Sequence, residues 1–296
     1  MAAKRELLCF FGHHKCASTW IHNVLDAVCA DAGWRLSYLY AEELFGADLA
    51  GYVARSSTEF LSYVNADVRH VRGLGPLRGF HVVRDPRDLV VSSYFSHRGT
   101  HPTHAWPELA AHREKLRALG PEEGLLLEMD FSAPFLDQIA SWDYGREDVL
   151  ELKQEELTRD PYRSFLAVFE FLGVLDESHY GKARWPAYLA RSGSNILHRW
   201  TRGVWPRLPL RAIPGERLLG AVFDHRFQKY AGGREKGEED RASHYRRGVG
   251  GDWVRHFTEA HVARFKERFG DLPLRLGYES DPDWSVERAR RVAAST

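Results

Sequence analysis

The chain is poor in sulfur and has no excess of charge of either sign. Its three cysteines, Cys9, Cys16 and Cys29, form no C-x-x-C pair and leave an odd number, so they supply neither a disulfide framework nor the ligand spacing of a structural zinc site. That usage suits a reducing compartment, and a cytoplasmic location is expected. The 41 basic residues balance 41 acidic ones, which removes any global field toward nucleic acid and makes an anion site a local feature. No apolar run approaches the ~20 residues that cross a bilayer, and no basic and apolar leader precedes the first strand pattern, so a soluble chain without a transmembrane segment is expected. There is no internal repeat, which excludes a solenoid.

What remains is enough for a large core: 296 residues with 44% hydrophobic content. Short apolar runs at Leu36 to Tyr40, Glu59 to Val64, Gly79 to Val83 and Val149 to Leu152 alternate with helical stretches, which predicts an α/β fold with a central parallel sheet flanked by helices. Asp160-Pro161 starts a helix with a cap and a first-turn proline, Phe165, Val168, Phe169 and Leu172 follow at helical spacing, and Gly173 ends it. Further helices are expected at Pro107 to Leu119, Leu125 to Ile139 and Thr258 to Phe269. One domain is expected over residues 1–280, with a mobile, glycine-rich loop around 232–251. Residues 281–296 read as a polar tail.

Three segments carry chemistry. In Leu7 to Trp20 a buried strand gives way to a tight loop and a helix start. Against the nucleoside-triphosphate loop pattern, Gly12 holds the first glycine, Ala17 the second, Ser18 the place of the lysine and Thr19 the closing hydroxyl, while Lys15 has moved inside the loop. Loop N–H groups and a helix N-terminus still make an anion cradle, but the triphosphate and magnesium arrangement is lost. In Gly79 to Tyr94 another strand runs into a helix, with Asp85 as cap and Pro86 at its start. Arg84 leaves the strand's carboxyl end, where open α/β sheets place ligands, and Ser92 follows about two turns in. A guanidinium fork and a hydroxyl suit one phosphate, whereas Asp85, Arg87 and Asp88 equally suit a capped, salt-bridged helix start. In His244 to Trp253, Arg246 and Arg247 face a run of glycines that includes Gly248 and Gly251.

Together and in this order, the three segments resemble the sulfotransferases that use 3′-phosphoadenosine 5′-phosphosulfate (PAPS). His14-Lys15-Cys16-Ala17-Ser18-Thr19-Trp20 is similar to the family's 5′-phosphosulfate loop P-K-S-G-T-T-W; Arg84 and Ser92 match its 3′-phosphate arginine and serine. Arg246-Arg247-Gly248 with Gly251-Asp252-Trp253 resembles its R-K-G-x-x-G-D-W loop, and Val149 to Leu157 with Asp160-Pro161 and Phe171-Leu172-Gly173 resembles the stretch between the last two motifs. The departures are Cys16, Ala17, Arg247 and the lack of a threonine-histidine-leucine-proline segment. The resemblance implies a P-loop-like sulfotransferase fold and metal-free, in-line transfer of a sulfuryl group, with positioning and charge stabilisation as the main source of rate. Lys15 would neutralise the bridging and leaving oxygens, with Ser18, Thr19 and the loop amides holding the 5′ end and Trp20 on the adenine side.

The missing segment leaves the base open. Asp67 and His70, after the strand ending near Val64, rank nearly equal; Glu42 and Glu43 are weaker candidates. The plain alternative is that Asp67 caps a short helix and His70 lies on the surface. His13, His14 and Cys16 lack the spacing for a metal, and none is expected. His97, His101 and His104 either line an acceptor pocket or are simply exposed. A small-molecule, lipid or carbohydrate acceptor would meet the variable stretches Tyr40 to Tyr63, His97 to Leu119 and Gly181 to Ile213, where Trp185, Tyr188, Arg191, Trp200, Arg202 and Trp205 stand. No nucleic acid partner is expected. The rivals are a P-loop kinase, disfavoured by the displaced lysine, and a silent module that binds PAPS or its product.

Overall fold

Leu7–Gly12 (β1) forms the middle of a five-stranded parallel sheet in this computed structural model, which describes residues 6–176 and 185–294. Leu36–Leu39 (β2), Phe60–Val64 (β3), Leu77–Val83 (β4) and Val149–Lys153 (β5) complete it in the order β2-β3-β1-β4-β5. Pairing is in register from Leu8↔Phe60 to Gly12↔Val64 on one side of β1 and from Leu7↔Leu77 to Phe11↔His81 on the other. The expected α/β class and the four expected strands are present, with ends shifted by a residue or two. Residues 181–184 of the expected acceptor stretch and 295–296 of the expected tail lie outside the described residues.

The helices, in chain order, are Ser18–Ala32 (α1), Leu49–Ser56 (α2), Val68–Val71 (α3), Pro86–Phe95 (α4), Pro107–Ala118 (α5), Pro121–Ser141 (α6), Gln154–Arg159 (α7), Pro161–Phe171 (α8) and Trp185–Trp200 (α9). Gly215–Asp224 (α10), Phe227–Tyr230 (α11), Trp253–His256 (α12), Glu259–Phe269 (α13), Leu272–Arg275 (α14) and Val286–Ala294 (α15) follow. Local signals explain their starts. Asp85 accepts from Arg87 N at 2.9 Å ahead of Pro86, and Asp160 accepts from Arg163 N at 3.1 Å ahead of Pro161. Thr258 and His261 form a reciprocal capping box.

The chain divides into two compact units. The first runs to Val83 and resumes over Ser141–Lys229; the second is Arg84–Ala140 and the chain from Tyr230 on. In the first, both faces of the sheet are covered, which is why its strands read as nearly continuous apolar runs. Leu8, Phe10, Phe60, Phe80 and Val82 meet Ile21 and Leu25 of α1, Phe165 and Phe169 of α8 and Leu218 of α10. Cys9, Phe11, Leu61 and Tyr63 pack on the other face with Leu49, Val71 and Trp142. Each fully buried large side chain contributes about 1.5–3 kcal/mol.

The second unit is organised around a buried cation. The Arg87 guanidinium, 2% exposed, lies between the rings of Trp253 and Trp284 at 3.9 and 4.6 Å and is paired with Asp85 at 2.7 Å and Glu279 at 2.5 Å. The segment expected as a polar tail therefore brings Trp284 and Val286 into a core. Residues 232–251, expected as a loop, contain neither helix nor strand. They fold back on themselves, with Gly237 N donating to Arg247 O at 2.8 Å and Asp240 N to Arg246 O at 2.9 Å.

Candidate functional site

In the first unit the loop between β1 and α1 turns through two left-handed residues that are not glycine, Lys15 (φ 60) and Ala17 (φ 59). Each costs on the order of 1–2 kcal/mol, a strain characteristic of functional turns. Ala17 is the N-cap residue of α1 and its methyl accepts nothing, so the helix start depends on other groups for its N–H donors. Cys16 N donates to His13 O at 3.2 Å, and Ser18 Oγ donates to the same carbonyl at 2.9 Å. The loop sits so close to its strand that a Cβ at Gly12 would fall 2.8 Å from Ser18 Oγ and 2.6 Å from the Phe10 ring. His14 and Cys16 are buried, Lys15 is half-buried and Thr19 is exposed. Trp20 packs edge-on against Phe165 in the apolar core, and its Nε1 has no hydrogen-bond partner.

Asp67 and His70 come at the exit of β3, the parallel neighbour of β1, and Ala66 N donates to Gly12 O at 3.0 Å. Asp67 caps α3, accepting from Arg69 N at 2.8 Å, and is gripped by the Arg69 side chain at 2.5 and 2.9 Å. That guanidinium holds its carboxyl below the usual range. His70 is not a surface residue. Its Nδ1 is 2.9 Å from Tyr63 Oη, its Nε2 is 3.8 Å from Glu42, and Phe45 lies against the ring. Burial pushes the Tyr63 phenol up to about 12. Glu42 is the candidate acid within ion-pair distance of the His70 ring.

A second polar chain, absent from the sequence reading, runs under the same loop. His13 Nε2 and His81 Nε2 are 2.7 Å apart, His81 Nδ1 is 2.6 Å from Glu151, and Trp142 Nε1 donates to Glu151 at 2.8 Å. Both imidazoles are fully buried. Burial, then the neighbouring imidazole, drives His13 well below its normal range; burial alone takes His81 down to about 3, and burial, opposed by the Trp142 hydrogen bond and aided by Asp143, raises Glu151 to about 7. Two neutral imidazoles at this distance share one proton, so one donates and the other accepts. His13 Nδ1, buried in the loop, has no partner. The available sequence signal was a histidine and a glutamate inside otherwise apolar strands.

In the second unit, Arg84 follows β4 and is buried, and Ser92 is half-buried on α4. Asp88 of the same helix accepts from Gly251 N at 2.6 Å and Trp253 N at 2.7 Å, so the third segment is tied to the helix that carries Ser92. Asp88 is thus a tether as well as part of a helix start. Arg246 pairs with Asp252 and, at 2.6 Å, with Glu239, its guanidinium 4.5 Å from the Phe95 ring centroid; Arg247 pairs with Asp252 at 2.5 Å. Burial would raise the Asp252 carboxyl, yet His256 and Arg246 together hold it far below normal. Gly248 and Gly251 take left-handed conformations at φ 72 and 77.

Within the second unit, one group of described residues has a donor set for a metal ion. His97, His112 and Glu128, all buried in the second unit, place their ligand atoms within 4.8 Å of one another. They are joined by hydrogen bonds of 2.9 Å from each histidine to Glu128, which also accepts from Ser132 Oγ at 2.5 Å. Of the aromatic candidates in the acceptor stretch, Tyr188 is committed to Asp31, whereas Trp200 is 82% exposed. Among the described residues no helix is long and apolar enough to cross a membrane.

No family model and no curated protein matches the chain. Among solved structures it is similar to a mouse sulfotransferase complexed with PAP, at 18% identity over 99% of this chain and 90% of that one, with a TM-score of 0.49. It is also similar to retinol dehydratase in complex with retinol and PAP, at 14% identity over 95% and 84% with a TM-score of 0.45. The sulfotransferase domain of a Synechococcus olefin synthase matches at 14% identity over 76% and 96%, with a TM-score of 0.35.

Proposed function

We propose that the chain is a PAPS-dependent sulfotransferase that moves a sulfuryl group to a hydroxyl or amine of a small-molecule, lipid or carbohydrate acceptor. The observation that supports this reading is the local fold of the three motif segments. The first is a strained strand–loop–helix turn bearing Lys15. The second sets Arg84 at a strand exit and Ser92 on the following helix, and the third is anchored to that helix through Asp88.

In this reading Lys15, the loop N–H groups and the start of α1 take the 5′-phosphosulfate, and Lys15 stabilises the charge that develops on the leaving oxygen. Ser18 and Thr19 edge the loop, with His14, Cys16, Ala17 and Trp20 shaping it. Arg84, Ser92, Arg246, Arg247 and Gly248 take the 3′-phosphate. Asp252 aligns the two arginines, and a phosphate joins the guanidinium N–H groups that Asp252 and Glu239 do not use. His70 is the better base. A carboxylate already gripped by a guanidinium, as Asp67 is, has little affinity for a proton at neutral pH, whereas the His70 ring lies between Tyr63 and Glu42 with no guanidinium on it. Three free, buried cysteines fit the reducing cytoplasm.

The test is single-turnover transfer of labelled sulfate from PAPS to an extract, with mass spectrometry of the products, beside calorimetry with adenosine 3′,5′-bisphosphate. Lys15→Ala should lower turnover about 10²–10³-fold and leave the thermal midpoint unchanged. Nucleotide binding without transfer would identify a silent binding module, and absence of binding would end the reading.

A further inference from the structure

Three elements of the second unit converge on one carboxylate. Glu128 on α6 and His97, just after α4, are fully buried, and His112 on α5 is 5% exposed. His97 Nδ1 lies 2.9 Å from one carboxylate oxygen and His112 Nε2 lies 2.9 Å from the other. Separations of 31 and 16 residues from Glu128 hide this set from any reading of short motifs. Among the described residues no lysine or arginine is paired with Glu128; its ion-pair partners are the two imidazoles. A buried carboxylate needs a countercharge, and either a proton on a histidine or a bound cation supplies it.

The surroundings favour the cation. His97 sits in a π-helical turn, Ser96–Thr100, closed by His101 N donating to Ser96 O at 2.8 Å, and such turns recur at functional sites. Arg113, next to His112, fastens that turn to α5 by donating to His97 O at 2.6 Å and to His101 O at 2.5 Å. Phe131 lies flat on the His112 ring with 3.8 Å between centroids, and Phe131 and Trp106 each meet His97 edge-on at 5.5 Å. Ser132, one turn beyond Glu128, donates to the carboxylate from Oγ at 2.5 Å. Rings and carboxylate are thus oriented from outside the cluster, as the outer shell of a metal site orients its ligands. Two imidazole nitrogens and a carboxylate suit zinc and its neighbours in the first transition row, whereas calcium and magnesium prefer oxygen alone. Metal–ligand bonds of about 2.0–2.2 Å set adjacent ligand atoms about 3.0–3.5 Å apart, so small side-chain rotations carry the three groups to one ion. We propose that His97 Nδ1, His112 Nε2 and the Glu128 carboxylate hold a divalent transition-metal ion, zinc being the best fit, which pins the π turn, α5 and α6 together. Glu128 turns one oxygen to each histidine, and binding through both completes four-coordination. This site is independent of the nucleotide reading.

Titration of the chelator-stripped full chain with zinc tests it. A single equivalent should bind tightly, and cobalt in its place should give the visible absorption of a low-coordinate site with nitrogen and oxygen donors. Zinc should raise the melting temperature of the parent chain and leave that of His112→Asn unmoved. His112→Asn should weaken zinc binding by about a hundredfold or more, and Ser132→Ala, which keeps every ligand, by about tenfold. Should His112→Asn fail to fold, Ser132→Ala and the cobalt spectrum of the parent chain decide the matter. Absence of zinc and cobalt binding by the folded parent chain would overturn the proposal and assign the countercharge to a proton on a histidine. Equal binding by the parent chain and the folded variants would overturn it too, since the metal would then sit on other histidines of the fifteen.

Discussion

Two buried clusters, one in each unit, are built from the same ingredients of two histidines and a glutamate, yet their glutamates are shifted in opposite directions. Burial would raise Glu128, but attraction to His97 and hydrogen bonds from His112, His97 and Ser132 outweigh it, and the carboxyl stays below its normal range. Glu151 receives only His81 and Trp142, and burial wins, taking it up to about 7. The histidines differ as well. His97 and His112 each aim one ring nitrogen at the carboxylate, whereas His81 spends its second nitrogen on another neutral imidazole. Residue type therefore does not set the charge of a buried cluster; the number of donors converging on the carboxylate does.

The contrast can be broken by mutation. Glu128→Ala removes the acceptor from two histidines and a hydroxyl, and should cost about 3–5 kcal/mol in urea unfolding. A loss near zero would mean that the second cluster is neutral too. Glu151→Gln is the milder change. Because the folded-state value of Glu151 lies above the ordinary 4.5, the stability tied to its proton is complete below 4.5 and disappears as pH rises through about 7. The glutamine variant should thus equal the parent at low pH and exceed it by about 1–3 kcal/mol above pH 7; equal unfolding midpoints across the range would count against a protonated Glu151.

The smallest effect concerns slope. Burial shifts both His81 and His13 downward, so the stability they confer is present above pH 6.5 and falls as pH drops; for His81 the fall runs from there toward about 3. His81 contributes up to about 1.4 kcal/mol per pH unit in that window. His81→Asn should flatten the acid limb of the unfolding midpoint against pH by about one proton, and an unchanged limb would place the acid-sensitive groups elsewhere.

Much of the candidate nucleotide site was legible because its signals are local. The apolar run to Gly12, the displaced Lys15, and the Asp85-Pro86 helix start are each read within a few residues, and each folds as its own chemistry dictates. Choosing between Asp67 and His70 was beyond the sequence, since their difference lies in Arg69 gripping one and Tyr63 and Glu42 flanking the other. Asp88 and Arg87 read as ordinary helix-start charges. Only folding made one a tether for residues 251–253 and the other a cation between two tryptophans.

The amino-acid sequence by itself determined the alternation of strands and helices, the helix starts and the local form of the three motif segments, since capping, periodicity and loop chemistry act over one or two turns of chain. The tertiary structure alone decided that His13 meets His81 across 68 residues and that His81 meets Glu151 across 70. It also decided that His97 and His112 meet at Glu128. Those outcomes depend on strand order and on which helix face finds a neighbour, and no local free-energy term encodes either.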